Sequence, residues 1–161
     1  MKNIYKICLL LMVLFAVNNT VSAQKTSKYK CMVQMTNYIG EGAYIVVSLV
    51  DAKGAYEKTL HVMGSDKKWY ADLKEWQKFY KKNPTNISAI TGASVSGGDR
   101  SVTVLEIEDS KINAGYKLRF ETAVEDKEYY VKDLEVDLTS AGIAGKTEGT
   151  GFIRYVRLRA N

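Results

Sequence analysis

Beyond residue 28 the chain alternates short apolar or β-branched runs with clusters of Gly, Ser, Asp and Lys, the pattern of strands separated by turns. Residues 29–38 mix β-branched, aromatic and polar positions. Residues 44–50, YIVVSLV, are almost unbroken in apolar character, as suits a strand covered on both faces. Asp51-Ala52-Lys53-Gly54 predicts a hairpin turn with Gly54 free to take positive φ, and residues 56–63 predict the returning strand. The period then changes. Trp69, Leu73, Trp76 and Tyr80 recur at helical spacing with Lys and Glu opposite, so residues 66–82 predict one amphipathic helix with its aromatic stripe in the core. Ser65 or Asp66 can cap its start. Asn83-Pro84 ends it, because the residue before proline is pushed out of the α region. Residues 86–100 read as a polar loop. Strands follow at residues 102–107, 116–120, 134–138 and 152–159, where Leu134, Val136 and Leu138 alternate with Glu135 and Asp137. About seven strands with one inserted amphipathic α-helix predict a mainly β fold, an immunoglobulin-like β-sandwich, with a β-barrel as the alternative.

The start of the chain is of a different kind. Lys2 and Lys6 precede an uncharged apolar run at residues 7–17, and Val21-Ser22-Ala23 offers the small residues of a cleavage site. The reading is a secretory signal peptide at residues 1–23, followed by a single domain at residues 24–161. The apolar run is shorter than the ~20 residues that span a bilayer, so no membrane insertion of the mature chain is expected, and the protein is expected to be periplasmic or secreted. Cys8 leaves with the peptide. Cys31 alone remains, so the domain has no internal disulfide, and Cys31 is read as a buried structural thiol. Without Lys2 and Lys6 the formal charge of +5 falls to +3, and the cations are spread along the sequence, which argues for no nucleic acid.

Little else points to catalysis. His61, the only histidine, has no nucleophile elbow to serve and reads as an ordinary half-buried ring. Glu106 and Glu108 read as a solvated strand face, and residues 125–128 as a charged hairpin loop. Arg154, Arg157 and Arg159 read as cations protecting an edge strand. The stretch that stands out is Thr91-Gly92-Ala93-Ser94.

Two blocks carry a resemblance. The first runs from Tyr44-Ile45-Val46-Val47-Ser48-Leu49-Val50-Asp51 through Gly54, Thr59-Leu60 and Lys68-Trp69 to Leu73 and Trp76, and the second is Ala89-Ile90-Thr91-Gly92-Ala93-Ser94. Their succession resembles the periplasmic bacterial family known as domain of unknown function 2271, over roughly residues 30–125. The Trp-Asp-Gly turn frequent in that family has no counterpart at residues 102–114, which makes this a divergent member. The family has no settled activity. Its genes tend to lie near those for flavin transferases and PepSY-type membrane proteins, which implies extracytosolic electron transfer, with a periplasmic flavin transferase and a PepSY-type membrane redox protein as partners. Thr91, Gly92, Ala93 and Ser94 also resemble the last four positions of the motif through which such transferases attach FMN by a phosphoester, with Ser88 standing where that motif has aspartate. The resemblance therefore implies covalent FMN at Ser94. The residues taken alone equally fit a turn in a non-enzymatic β-sandwich that binds a partner or ligand, and a stand-alone enzyme is expected in neither case.

Overall fold

A computed structural model describes residues 25–161, and the expected signal peptide lies outside the described residues. The strands are β1 (Thr26–Met35), β2 (Tyr44–Val50), β3 (Tyr56–Met63), β4 (Thr91–Gly92), β5 (Arg100–Glu108), β6 (Lys117–Ala123), β7 (Tyr129–Asp137), β8 (Lys146–Glu148) and β9 (Ile153–Ala160). Helix α1 covers Lys74–Lys82 and the short α2 covers Ser140–Ala144. The strands form two sheets rather than a barrel, a four-stranded one in the order β5-β1-β9-β8 and a five-stranded one in the order β4-β3-β2-β6-β7. Neighbours are antiparallel except β3 and β4.

Alternation along the strands builds the core. Cys31, Val33 and Met35 of β1 share one apolar cluster with Ile45, Val47 and Leu49 of β2, so the sheets face each other. The other face of β2 is covered too. Val46, Val62 and Ala123 lie beneath Tyr70, Leu73 and Trp76, which accounts for the unbroken apolar run of β2. The Trp76 indole N–H donates to Thr59 Oγ1 at 2.9 Å, satisfying its one polar atom in the core. The outer face of the four-stranded sheet is covered by no element among the described residues.

Several expectations change in detail. All seven expected strands are present, and β4 and β8 are additional. The expected single helix opens as a 3-10 turn, Lys67–Asp72, capped by Asp66, before α1 begins at Lys74. A 3-10 turn brings residues three apart onto one face. Tyr70, Leu73 and Trp76 are therefore the buried aromatic and apolar positions, while Trp69 and Tyr80 are only half-buried. The loop expected at residues 86–100 contains a 3-10 turn and β4. Finally β9, the strand of Arg154, Arg157 and Arg159, is not the edge strand expected: β1 flanks it on one side and β8 covers Tyr155–Arg157 on the other.

One buried carboxylate joins the two sheets. A register shift between Phe120 and Thr122 turns Asp133 of β7 inward to full burial. It accepts hydrogen bonds from Thr122 Oγ1 at 2.7 Å and from the backbone N–H groups of Thr150, Gly151 and Ile153 at 3.1, 2.8 and 2.9 Å. The five-stranded sheet thus holds the turn that feeds β9 into the four-stranded one.

Candidate functional site

The stretch Thr91-Gly92-Ala93-Ser94 lies where the two sheets meet at one side. It begins in register with β3, Val62 opposite Thr91 and Met63 opposite Gly92, and Gly64 N–H donates to Gly92 O at 2.8 Å. Gly64 itself sits at φ +130°, and a Cβ there would lie 2.1 Å from the Tyr44 ring, so only glycine fits. Thr91 Oγ1 donates to Ile87 O at 2.8 Å. On the far side Val95 pairs with Ala43 through N–H to O distances of 2.8 and 3.1 Å. Tyr38 clamps this pair, donating its hydroxyl to Val95 O at 2.6 Å and accepting from Ala43 N–H at 2.8 Å. Between these fixed ends Ala93 and Ser94 stand exposed on a short crest. The polar loop expected at residues 86–100 is thus ordered here: the Ser94 hydroxyl is exposed, and the backbone on both sides of it is tied down.

Two clefts flank the crest. One, of about 370 Å³, is lined by His61, Met63, Ser94, Arg100, Val102 and Thr103 among others. His61 Nδ1 lies 3.3 Å from Thr103 Oγ1, and a Cβ on Gly92 would come within 3.7 Å of His61 Nε2, so the ring reaches the back of the crest. Burial lowers His61 below the ordinary imidazole range and leaves it neutral at neutral pH. Arg100 is held by a hydrogen bond from its Nε to Gln34 Oε1 at 3.0 Å. The other cleft, of about 130 Å³, is lined by Tyr44, Trp69, Ser94 and the acidic Glu41, Asp72 and Glu125. Ser94 therefore has a cationic side and an acidic side.

With the exception of Ser48, the remaining buried polar groups described have structural partners. Glu121, 1% exposed on the helix side of β6, accepts from the Tyr56 hydroxyl and, at 2.9 Å, from Trp76 N–H. The Tyr129 hydroxyl accepts from Glu75 N–H at 2.9 Å. Leu73, the residue preceding α1, has no side chain able to cap it, so these two groups satisfy the free N–H groups of its first turn from another element. Burial raises the Glu121 carboxyl above its usual range. Arg119, 5% exposed, lies over the Tyr56 ring and pairs with Glu135 at 2.7 Å. Ser48 Oγ is buried without a partner among the described residues, but it lines neither cleft. Cys31 lies deep in the core, as read from the sequence, and burial pushes its thiol up to about 12. Among the described residues no group of three His, Cys, Asp or Glu side chains is placed to hold a metal.

The fold thus gathers Ser94, Arg100 and Thr103 of one segment with His61, which lies 33 residues before Ser94 in the sequence, and holds Ser88 away in an exposed 3-10 turn. Period 2 in β5 and β3 marks which of these residues share a face. That β3 and β5 lie side by side at this edge is a long-range fact with no local signal. A family model described as "Predicted periplasmic protein (DUF2271)" matches residues 26–155. No curated protein and no solved structure matches the chain. Among the described residues no helix is long and apolar enough to cross a membrane.

Proposed function

The chain belongs to the DUF2271 family of periplasmic proteins, and on that premise we propose that it is a carrier module of extracytosolic electron transfer, with Ser94 as the hydroxyl that takes FMN through a phosphoester. The observation that carries this reading is the placement of Ser94: an exposed primary hydroxyl on a pinned crest, opening onto a cleft that also contains Arg100. The cleft's volume of about 370 Å³ falls within the ~300–1,000 Å³ usual for small-molecule sites. Arg100 offers a cation for a phosphodiester, neutral His61 and Thr103 offer hydrogen-bonding groups, and Met63 and Val102 offer apolar wall. The side of the crest bearing Tyr44 and Trp69 suits FMN less well, because it is smaller and its three carboxylates repel a phosphate. FMN, when bound, supplies the electron-transfer chemistry, and the protein positions it. Small side chains at Gly92 and Ala93 let a periplasmic flavin transferase approach the backbone closely, and a PepSY-type membrane redox protein is the proposed exchange partner. The immunoglobulin likeness is retained only as two mainly antiparallel layers, since β1 pairs with both β5 and β9, unlike the strand order of immunoglobulin domains.

The test is co-expression in the periplasm with a cognate flavin transferase, followed by intact-mass measurement. Wild type gains the mass of FMN less water, and Ser94→Ala does not. Unmodified wild type, with a validated substrate modified in parallel, sinks the proposal. A second reading, a non-enzymatic binding module, is favoured by a separate cleft of about 710 Å³ between α1 and β5, lined by Leu60, Phe79, Ile90 and Val104. Failure of FMN attachment would leave that reading standing.

A further inference from the structure

The bare outer face of the four-stranded sheet collects cations that the sequence scatters. Residues directly opposite on antiparallel neighbours point to the same side, and Cys31, Val33 and Met35 point inward. Lys28 and Lys30 of β1, Arg100 of β5, Arg157 and Arg159 of β9 and Lys146 of β8 therefore point outward. The acidic residues on the same face are Glu106, Glu108 and Glu148. Six basic against three acidic side chains equal the whole formal surplus of +3 left once Lys2 and Lys6 are set aside, so the rest of residues 25–161 is balanced. The even spread of charge along the chain is not an even spread over the molecule.

The arrangement runs against local stability. Lys30 stands directly opposite Arg159, and Lys146 directly opposite Arg157. Like charges so placed repel. Lys146 and Lys28 are relieved by Glu148 at 2.8 Å and Glu106 at 3.1 Å. Lys30, Arg157 and Arg159 have no ion pair among the described residues, and all three are exposed. Beside them Val102 and Val104 are 54% and 44% exposed. A rule broken on an open face marks a binding surface more often than a defect.

We propose that this face docks the protein on an anionic lipid bilayer surface, with Lys30, Arg157 and Arg159 as its centre. Three features select the occupant. The cations sit in the middle of the face, on β1 and β9, with Lys30 among them, whereas the centres of protein interfaces are depleted of charge other than Arg. Single-stranded nucleic acid needs aromatic platforms, and among the described residues the only aromatic ring on this face, Tyr155, is covered by Lys146 at 5.4 Å. A regular sheet face matches an extended charged plane, and the periplasm is bounded by lipid membranes. Docking is electrostatic and leaves the chain uninserted.

The test uses protein recovered from the periplasm and sedimentation with vesicles of phosphatidylglycerol mixed with phosphatidylethanolamine, compared with vesicles of phosphatidylcholine. Binding is expected to the anionic vesicles only, and to fall steeply between about 0.1 M and about 0.5 M salt. The triple variant Lys30→Gln, Arg157→Gln, Arg159→Gln is expected to bind roughly a hundredfold more weakly, about fivefold for each charge removed. The variant Lys67→Gln, Lys81→Gln, Lys82→Gln loses the same net charge from elsewhere and is expected to bind as wild type. All three outward-facing sites tolerate glutamine sterically, and unchanged melting curves verify the folds. Absent binding, equal binding to phosphatidylcholine, or equal weakening in both triple variants overturns the proposal, as does binding to a single-stranded oligonucleotide in place of vesicles. None of these outcomes bears on the mass gained at Ser94.

Discussion

Replacing Asp133 by asparagine tests the join between the two sheets. The carboxylate is fully buried and accepts four hydrogen bonds, from Thr122 and from three backbone N–H groups of one turn, at Thr150, Gly151 and Ile153. Asparagine keeps the shape but only one acceptor oxygen, and its amide N–H₂ meets donors. Two bonds to one oxygen are lost. Hydrogen bonds to a charged group contribute about 1.5–3 kcal/mol each, so the expected loss is about 3–6 kcal/mol. That is a large part of the ~5–15 kcal/mol that holds an ordinary domain. Gly149 in the same turn is packed so closely that a Cβ there would lie 2.2 Å from Ile153 O and 2.6 Å from Asp133 itself. Urea unfolding followed by tryptophan fluorescence reads the effect. With a slope of about 1–3 kcal/mol per molar urea, the midpoint falls by at least about 1 M, and by about 1.5–3 M for a slope of about 2, at unchanged slope. Asp137→Asn, exposed at the end of the same strand, is the control. A midpoint for Asp133→Asn no lower than that of the control would refute the claim that this carboxylate holds the β8–β9 turn.

Trp76→Ala should cost about 3–5 kcal/mol in the same assay, and Trp69→Ala clearly less, because only Trp76 is fully buried; equal losses would contradict the 3-10 register. Cys31 should react with a thiol reagent only as fast as the protein unfolds, since its thiol is both enclosed and pushed up to about 12; rapid native-state labelling would contradict its burial. Glu121 has a raised carboxyl, so the stability it adds is complete below the ordinary carboxylate pKa and lost as pH rises through the folded value. Glu121→Gln should therefore flatten the pH dependence of the urea midpoint relative to wild type between about pH 4 and about pH 7, and parallel profiles would count against it.

Local periodicity made most of the strands legible. The run from Tyr44 to Val50 declares a doubly covered strand, and the structure supplies a sheet on one side and Trp76 on the other. What stayed hidden depends on breaks in period. Asp133 sits beside a register shift, so the alternation of Leu134 and Val136 does not extend back to it. Tyr70 replaces Trp69 in the core because the segment starts as a 3-10 turn, which no propensity in KKWYAD announces. Thr91 and Gly92 form a strand only because β3 offers them an edge. Of the candidate site, Ser94 was legible through its motif. Arg100 was not, because its role comes from β5 lying beside β1, a pairing of residues 66 apart in the case of Gln34 and Arg100.

That pairing also connects the two proposed surfaces. Gln34 lies on the outer face of β1 and accepts from Arg100, while its amide donates to Gly98 O at 2.8 Å and Asp99 O at 3.1 Å. Gly97 is pressed so closely on Tyr38 that a Cβ would lie 1.9 Å from its carbonyl oxygen, and the same Tyr38 clamps Val95 next to Ser94. The segment leading from Ser94 into β5 is thus fastened at both its ends to β1 and the chain that follows it. Arg100 belongs at once to the cleft beside Ser94 and to the corner of the basic face. A surface that attracts the basic face therefore meets the mouth of the cleft at its rim. For a carrier that exchanges electrons with a membrane-bound partner, this geometry shortens the search to a plane and fixes which side of the molecule approaches. Because the crest is pinned, the orientation set by docking is passed to Ser94 without a hinge between them.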